Sequence, residues 1–187
     1  MRICIVAEGC YPYVVGGVSG WIHGMIKSFP DQGFVILAIV TNRSVRGKYV
    51  YELPENVTEI HELYLEDSDW GKRRRRRSRM NKKEYEALRS LVLNQRVEWE
   101  VLFDFFQKQK YSLNDLLMGE DFLNAVTEYY KLNYSQIVFT DFLWTMRSIY
   151  LPLFFTMQME IPKADLYHCV STGYAGMLGS MAKYVHG

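Results

Sequence analysis

The sequence predicts an α/β domain with a Rossmann-like, mostly parallel sheet and a helical insertion, and three observations predict it. Two uninterrupted apolar runs, Ile3 to Ala7 and Phe34 to Val40, flank a glycine-rich turn and a stretch with helical spacing. A second strand-then-helix pattern occupies Asp165 to Met181. Between these halves, from about residue 80 to 160, the apolar period is helical.

Ile3 to Ala7 reads as a strand covered on both faces, as parallel strands are. The run is too short for the apolar core of a signal peptide. Glu8 to Gly17 follows as a loop rich in turn formers, and a helix is expected to start near Val18-Ser19. Val18, Trp21, Ile22, Met25, Ile26 and Phe29 recur at helical spacing and define its expected core face. Pro30-Asp31-Gln32-Gly33 ends it before the second strand. Strand, turn, helix, strand in this order is a βαβ unit. Val57 to Leu65 is the expected third strand, anchored by Ile60, Leu63 and Leu65. Asp165 to Val170 is another, and Ser171-Thr172-Gly173 then opens a small-residue helix through Ala175, Leu178 and Met181.

In the middle section, Lys82 to Lys108 is expected to be helical, with Tyr85, Leu88, Leu91, Val92, Trp99, Leu102, Phe103 and Phe106 on one broad face. Ser112-Leu113-Asn114-Asp115 has the spacing of a capping box and starts another helix. Ser135 to Met159 gives a third helical stretch, with a kink expected near Pro152. No Pro/Gly/Ser linker flanks the section, so it reads as an insertion within one domain spanning residues 1–187. Its longest apolar stretch carries Asp141, Arg147 and Pro152, which argue against a membrane span.

Composition narrows the function. With 22 basic and 21 acidic residues the net charge is only +1, so the basic excess of a general nucleic-acid binder is missing. Cys4, Cys10 and Cys169 form no CxxC pair, which fits reduced thiols in the cytoplasm and implies neither a disulfide framework nor a metal site. No cofactor is implied. The run Lys72 to Arg79, with its arginine tract 73–77, reads as a solvated loop in preference to a polyanion contact; Glu66, Asp67, Asp69, Glu84 and Glu86 lie near it in sequence and partly balance it. His23, His61 and His186 belong to no motif and get a structural reading.

Two segments carry candidate chemistry. In Tyr11 to Gly20, Gly16-Gly17 lets the backbone approach a ligand, and the helix that follows offers free N–H groups and a positive dipole end. That suits a diphosphate; a tight turn that binds nothing is the equal alternative. GxGxxG is absent, the second strand ends in Thr41-Asn42-Arg43 without a ribose-gripping acid, and no GK[ST] occurs. A dehydrogenase and a P-loop are therefore disfavoured. The other segment is Tyr167 to Tyr174. His168 lies near the carboxyl end of a strand, where open α/β sheets place ligands, or is simply a satisfied core histidine. Ser171 and Thr172 offer an N-cap, sugar-binding hydroxyls, or both.

Glu8-Gly9-Cys10-Tyr11-Pro12-Tyr13-Val14-Val15-Gly16-Gly17-Val18-Ser19-Gly20-Trp21-Ile22 strongly resembles the opening of PelF-type glycosyltransferases, members of glycosyltransferase family 4. Tyr167-His168-Cys169-Val170-Ser171-Thr172-Gly173-Tyr174-Ala175-Gly176 is similar to a later segment of the same family, so the resemblance covers the chain from end to end. It implies the amino-terminal half of a GT-B fold, in which two Rossmann-like domains face each other across a cleft. It implies retaining transfer of a hexose from a nucleotide sugar, UDP-glucose in the PelF case, to a growing exopolysaccharide. By this resemblance Gly16, Gly17, Val18 and Ser19 face the donor diphosphate. Glu8, Tyr11, Tyr13, His168, Ser171, Thr172 and Tyr174 are acceptor-side candidates.

The E-x7-E pair and basic groups of the family's carboxy-terminal domain have no match here, so catalytic residues are not assigned. His168 is not carried into the role of the family's important histidine, which lies after a later strand. The resemblance thus implies a truncated acceptor-side domain that is inactive alone. Its expected partners are the nucleotide sugar held with the missing carboxy-terminal domain, a glycan acceptor, and a membrane-associated polysaccharide synthesis complex, with the chain cytoplasmic or peripheral at the inner membrane face. The alternative is a non-enzymatic α/β module that docks a partner through its helical insertion, for which exposed apolar surface on residues 82–108 would be the sign. A flavodoxin-like regulator is disfavoured because Pro12 to Gly17 lacks the expected phosphate loop.

Overall fold

A computed structural model describes residues 1–68, 80–108 and 112–187. The basic run Lys72 to Arg79 lies outside the described residues. The chain forms two compact units: residues 1–67 with 159–187, and residues 68–158.

The first unit is a four-stranded sheet, β1 (Arg2–Glu8), β2 (Gly33–Val40), β3 (Val57–Tyr64) and β4 (Leu166–Cys169), in the order β3-β2-β1-β4. All three pairings are parallel, which makes the architecture α/β and Rossmann-like. The registers explain why β1 and β2 are apolar without a break. Ile5, Ala7, Phe34, Ile36, Ala38 and Val40 share one face and cluster with Ile22 and Ile26 of α1 (Gly17–Ser28). Cys4, Val6, Val35, Leu37 and Ile39 point to the other face and are equally buried. Burial of Ile22 and Ile26 contributes about 1.5–3 kcal/mol each.

Helix α7 (Tyr174–His186) packs on β1 and β4 through Ala175, Leu178, Met181 and Ala182. Its approach to β4 requires glycine at 179, where an added Cβ would stand 2.3 Å from the Cys169 sulfur. Burial pushes the Cys4 thiol up to about 12 and also raises Cys169. Both are therefore inert apolar packing groups at neutral pH.

The second unit contains α2 (Lys82–Val92), α3 (Trp99–Lys108), α4 (Leu113–Leu117), α5 (Glu120–Asn133) and α6 (Phe139–Met157). The single helical stretch expected over 82–108 is two helices. Asn94 adopts φ 55° just past the end of α2, a left-handed conformation that asparagine tolerates and that stops a helix. Ser112 caps α4 by accepting from the Asp115 N–H, but α4 lasts only five residues before Gly119. Pro152 lies inside α6. The core is aromatic: Phe106 and Phe154 stack at 4.8 Å, and Phe122 meets Tyr150 edge-on. Among the described residues, no helix is long and apolar enough to cross a membrane.

Asp69 also lies outside the described residues, and the other four acids near the basic run in sequence each have a described partner. Glu66 accepts the Arg43 N–H and Asp67 holds the Arg43 guanidinium; Glu84 closes a helix cap and Glu86 pairs with Arg89.

Candidate functional site

In the order β3-β2-β1-β4 the direction of strand addition reverses between β1 and β4. Open α/β sheets bind ligands at the carboxyl ends of the two strands flanking such a reversal. Here those ends are Glu8 and Cys169, and they lead into the two loops singled out in the sequence.

After Glu8 the chain turns at Gly9, with φ +64° and its N–H bonded to the Ile39 carbonyl. The Tyr11–Pro12 peptide is cis. The loop then runs to Gly16, which is the N-cap of α1 and supplies no side-chain cap. The first helical hydrogen bond is Gly20 N–H to Gly16 carbonyl at 2.8 Å. Among the described residues, nothing accepts from the N–H groups of Gly17, Val18 and Ser19. These three donors, with the positive end of the helix dipole, form a place for an anion. Gly16 is fully extended at φ 175°, none of Gly16, Gly17 and Gly20 lies in the left-handed region, and a Cβ added at any of them would meet nothing within 4 Å. The fold itself therefore does not require glycine at these positions.

Glu8 has a defined structural partner set. Its carboxylate accepts from the Ala175 N–H at 3.1 Å and from the Ser171 hydroxyl at 3.1 Å. Gly173, the N-cap of α7, has no side chain to do this, and a Cβ there would stand 2.9 Å from Glu8 Oε2. Glu8 thus caps α7 from a strand far away in sequence, and the negative charge suits a helix amino end. The expectation that Ser171 or Thr172 caps this helix is not met. Ser171 serves the carboxylate instead, and Thr172 is exposed. Burial, followed by the Glu8 carboxylate, raises the Tyr174 phenol above its usual value.

The two loop tyrosines go inward. Tyr11 is fully buried; its hydroxyl lies 3.3 Å from His23 Nδ1 and its ring packs 5.3 Å from Tyr51. Burial pushes its phenol up to about 12. Tyr13 is buried against Tyr49, and its hydroxyl has no hydrogen-bond partner. A Val50 N–H to Pro12 carbonyl bond ties the same two loops together. Tyr11 and Tyr13 therefore brace the site loop from behind, and neither shares the rim with Glu8, Ser171 and Tyr174.

A residue that helical periodicity assigned to the core is exposed instead. Trp21 is 52% exposed and Val18 likewise, while Ile22, Ile26 and Ser19 make the buried face of α1. The register places His168 beside Ile5 on the α1 side of the sheet, and its ring centroid lies 5.5 Å from that of Trp21. Gly17, Val18, Trp21, His168, Cys169 and Val170 line an open groove of ≈ 360 Å³. Four of the candidates meet around this end of the sheet through Glu8 (Glu8, Ser171, Tyr174) or the groove (His168), and Gly17 and Val18 join His168 there. Among the described residues, no cluster of three or more His, Cys, Asp or Glu side chains is arranged to hold a metal ion.

A family model described as "Domain of unknown function (DUF3492)" matches residues 1–187. No curated protein and no solved structure matches the chain. With the match running from β1 through α7, the chain belongs to the DUF3492 family.

Proposed function

We propose that the chain is the acceptor-side α/β domain of a retaining glycosyltransferase, moving a hexose from a nucleotide sugar to a glycan. The supporting observation is the start of α1. Three glycines that the backbone does not need surround three N–H groups that nothing satisfies, at the strand reversal where α/β sheets bind ligands. A departing diphosphate gains negative charge in the transition state, and fixed backbone donors stabilise that charge without a proton transfer. The resemblance to PelF-type enzymes supplies the rest of the reading: UDP-glucose as donor, an exopolysaccharide as acceptor, and a second α/β domain to hold the nucleotide. In this reading the work is cytoplasmic, at the inner face of the membrane.

The test is sugar transfer from UDP-glucose by a polypeptide joining this domain to a second α/β domain. Gly17→Val has room for its side chain in the protein but fills the space over the N–H groups. Transfer is expected to fall about 100-fold or more, with thermal stability unchanged. Unchanged transfer would remove the loop from the mechanism. Residues 1–187 alone are expected to show no turnover, and robust turnover by them would overturn the two-domain division.

A second reading, a partner-docking module, has one observation of its own. Residues 82–108 expose little beyond Trp99, but Leu132, Ile137, Val138, Trp144 and Ile149 of the helical unit are each more than 40% exposed. Of these, Ile137 and Ile149 line one common groove, and grouped exposed apolar side chains are a mark of binding faces.

A further inference from the structure

We infer that the groove between Trp21 and His168 is a subsite for a neutral pyranose ring, with Trp21 as its stacking platform. The inference deepens the glycosyltransferase reading and rests on it, because it names the acceptor's contact on this domain.

Four observations carry it. Trp21 lies one helical turn after Gly17, on the same side of α1, so its indole lies beside the backbone stretch proposed to face the donor. A tryptophan in a position that could have joined the apolar stripe is instead half exposed. Exposing so large an apolar ring forgoes stabilisation that burial would have provided. His168 meets the indole at an interplanar angle of 38°, tilted and not stacked. Both rings line the ≈ 360 Å³ groove, a volume at the lower end of the range for small-ligand sites.

The lining identifies the class of ligand. Apart from the Gly17 and Val18 backbone already assigned to the donor's phosphates, it contains no carboxylate, lysine or arginine, so the wall formed by Trp21 and His168 offers no counterion to a charged group. It pairs an aromatic face with polar atoms that are free. Among the described residues, no hydrogen bond engages the Trp21 indole N–H or either His168 ring nitrogen. A hexopyranose has the complementary chemistry: an apolar C–H face to lie on the indole and hydroxyls at its edge to meet the imidazole. A planar base would also stack, and the uridine arm of the experiment separates it from the sugar assigned here.

The experiment records the indole N–H resonances of residues 1–187 in ¹⁵N–¹H NMR spectra. Titrations use neutral glucohexaoses of α-1,4 and β-1,4 linkage, with uridine and UDP in separate arms. At least one hexaose is expected to move the Trp21 resonance saturably and leave that of exposed Trp144 in place. Trp21→Ala should weaken hexaose binding about tenfold, and Trp21→Phe should restore most of it, because ring stacking is retained. His168→Ala should also weaken binding. A Trp21 resonance that responds to no hexaose, or only to uridine and UDP, would overturn the inference, as would full hexaose affinity in Trp21→Ala. None of these outcomes depends on the donor. If Gly17→Val still abolishes transfer, the glycosyltransferase reading survives a failure here.

Discussion

Helices α1 and α2 both begin with backbone N–H groups that their own turns cannot satisfy, and the two helices deal with them in opposite ways. At α2, Asn81 accepts from the Glu84 N–H at 3.0 Å and Glu84 accepts from the Asn81 N–H at 2.8 Å, a complete capping box. At α1, Gly16 provides nothing and three donors stay open. Helix α7 lies between these cases, since its cap is Glu8, borrowed from β1. In the helical unit α2 and α4 are closed by residues next in sequence, whereas α5 and α6 start at Gly119 and Val138 without a side-chain cap. The α/β unit closes one end through the tertiary fold and leaves the other open, where the ligand is proposed to bind. A missing side-chain cap is thus not peculiar to α1; what sets its start apart is the place, at the strand reversal and beside the groove lined by Gly17 and Val18.

The comparison breaks if closing α1 has no functional consequence. Gly16→Asp would place a carboxylate over the open donors, in an extended backbone that any residue adopts. Transfer should fall about 100-fold or more while the melting temperature holds or rises. An active Gly16→Asp enzyme would show that the open end is incidental.

Removing the borrowed cap should cost stability instead. Glu8→Ala deletes the carboxylate oxygen that accepts both hydrogen bonds of the α7 turn, and thermal unfolding of the α/β unit should register a loss of about 1.5–3 kcal/mol. Loss of activity without loss of stability would move Glu8 from the cap to the substrate. In the helical unit, Asn81→Ala should cost about 1 kcal/mol by denaturant titration, with no change in any ligand response.

The smallest expected effect concerns pH. Arg89 grips Glu128 with two hydrogen bonds and links α2 to α5, which holds the Glu128 carboxyl below its usual 4.5. A carboxyl depressed in the folded state stabilises fully above its unfolded value and loses that contribution as pH falls through the folded one. Acid should therefore lower the melting temperature of the native chain slightly more than that of Glu128→Gln. Parallel curves would show that this exposed pair contributes nothing.

Much of the fold was legible because it is written locally. β1 and β2 are continuous apolar runs, α1 and α7 follow glycine-bearing turns, and Ser112 stands where a cap belongs. The break at Asn94 was missed because the apolar period continues across it, and only a left-handed backbone marks the stop. Among the site candidates, Gly16 to Ser19 were legible as a loop before a helix. Tyr11 and Tyr13 were misplaced onto the rim. Their burial depends on Tyr49 and Tyr51, which lie in a loop after the second strand.

The sequence by itself determined the strands, the helices α1 and α7 packed with them and the glycine-rich start of α1, because hydrophobic period and turn chemistry act between near neighbours. Only the tertiary structure decided what those pieces surround. Strand order brought residue 168 beside residue 5, which turned Trp21 from a core residue into the wall of a groove. The same pairing of β1 with β4 set Glu8 against the start of α7. Both outcomes come from contacts more than a hundred residues apart, and no local pattern encodes which strand will lie next to β1.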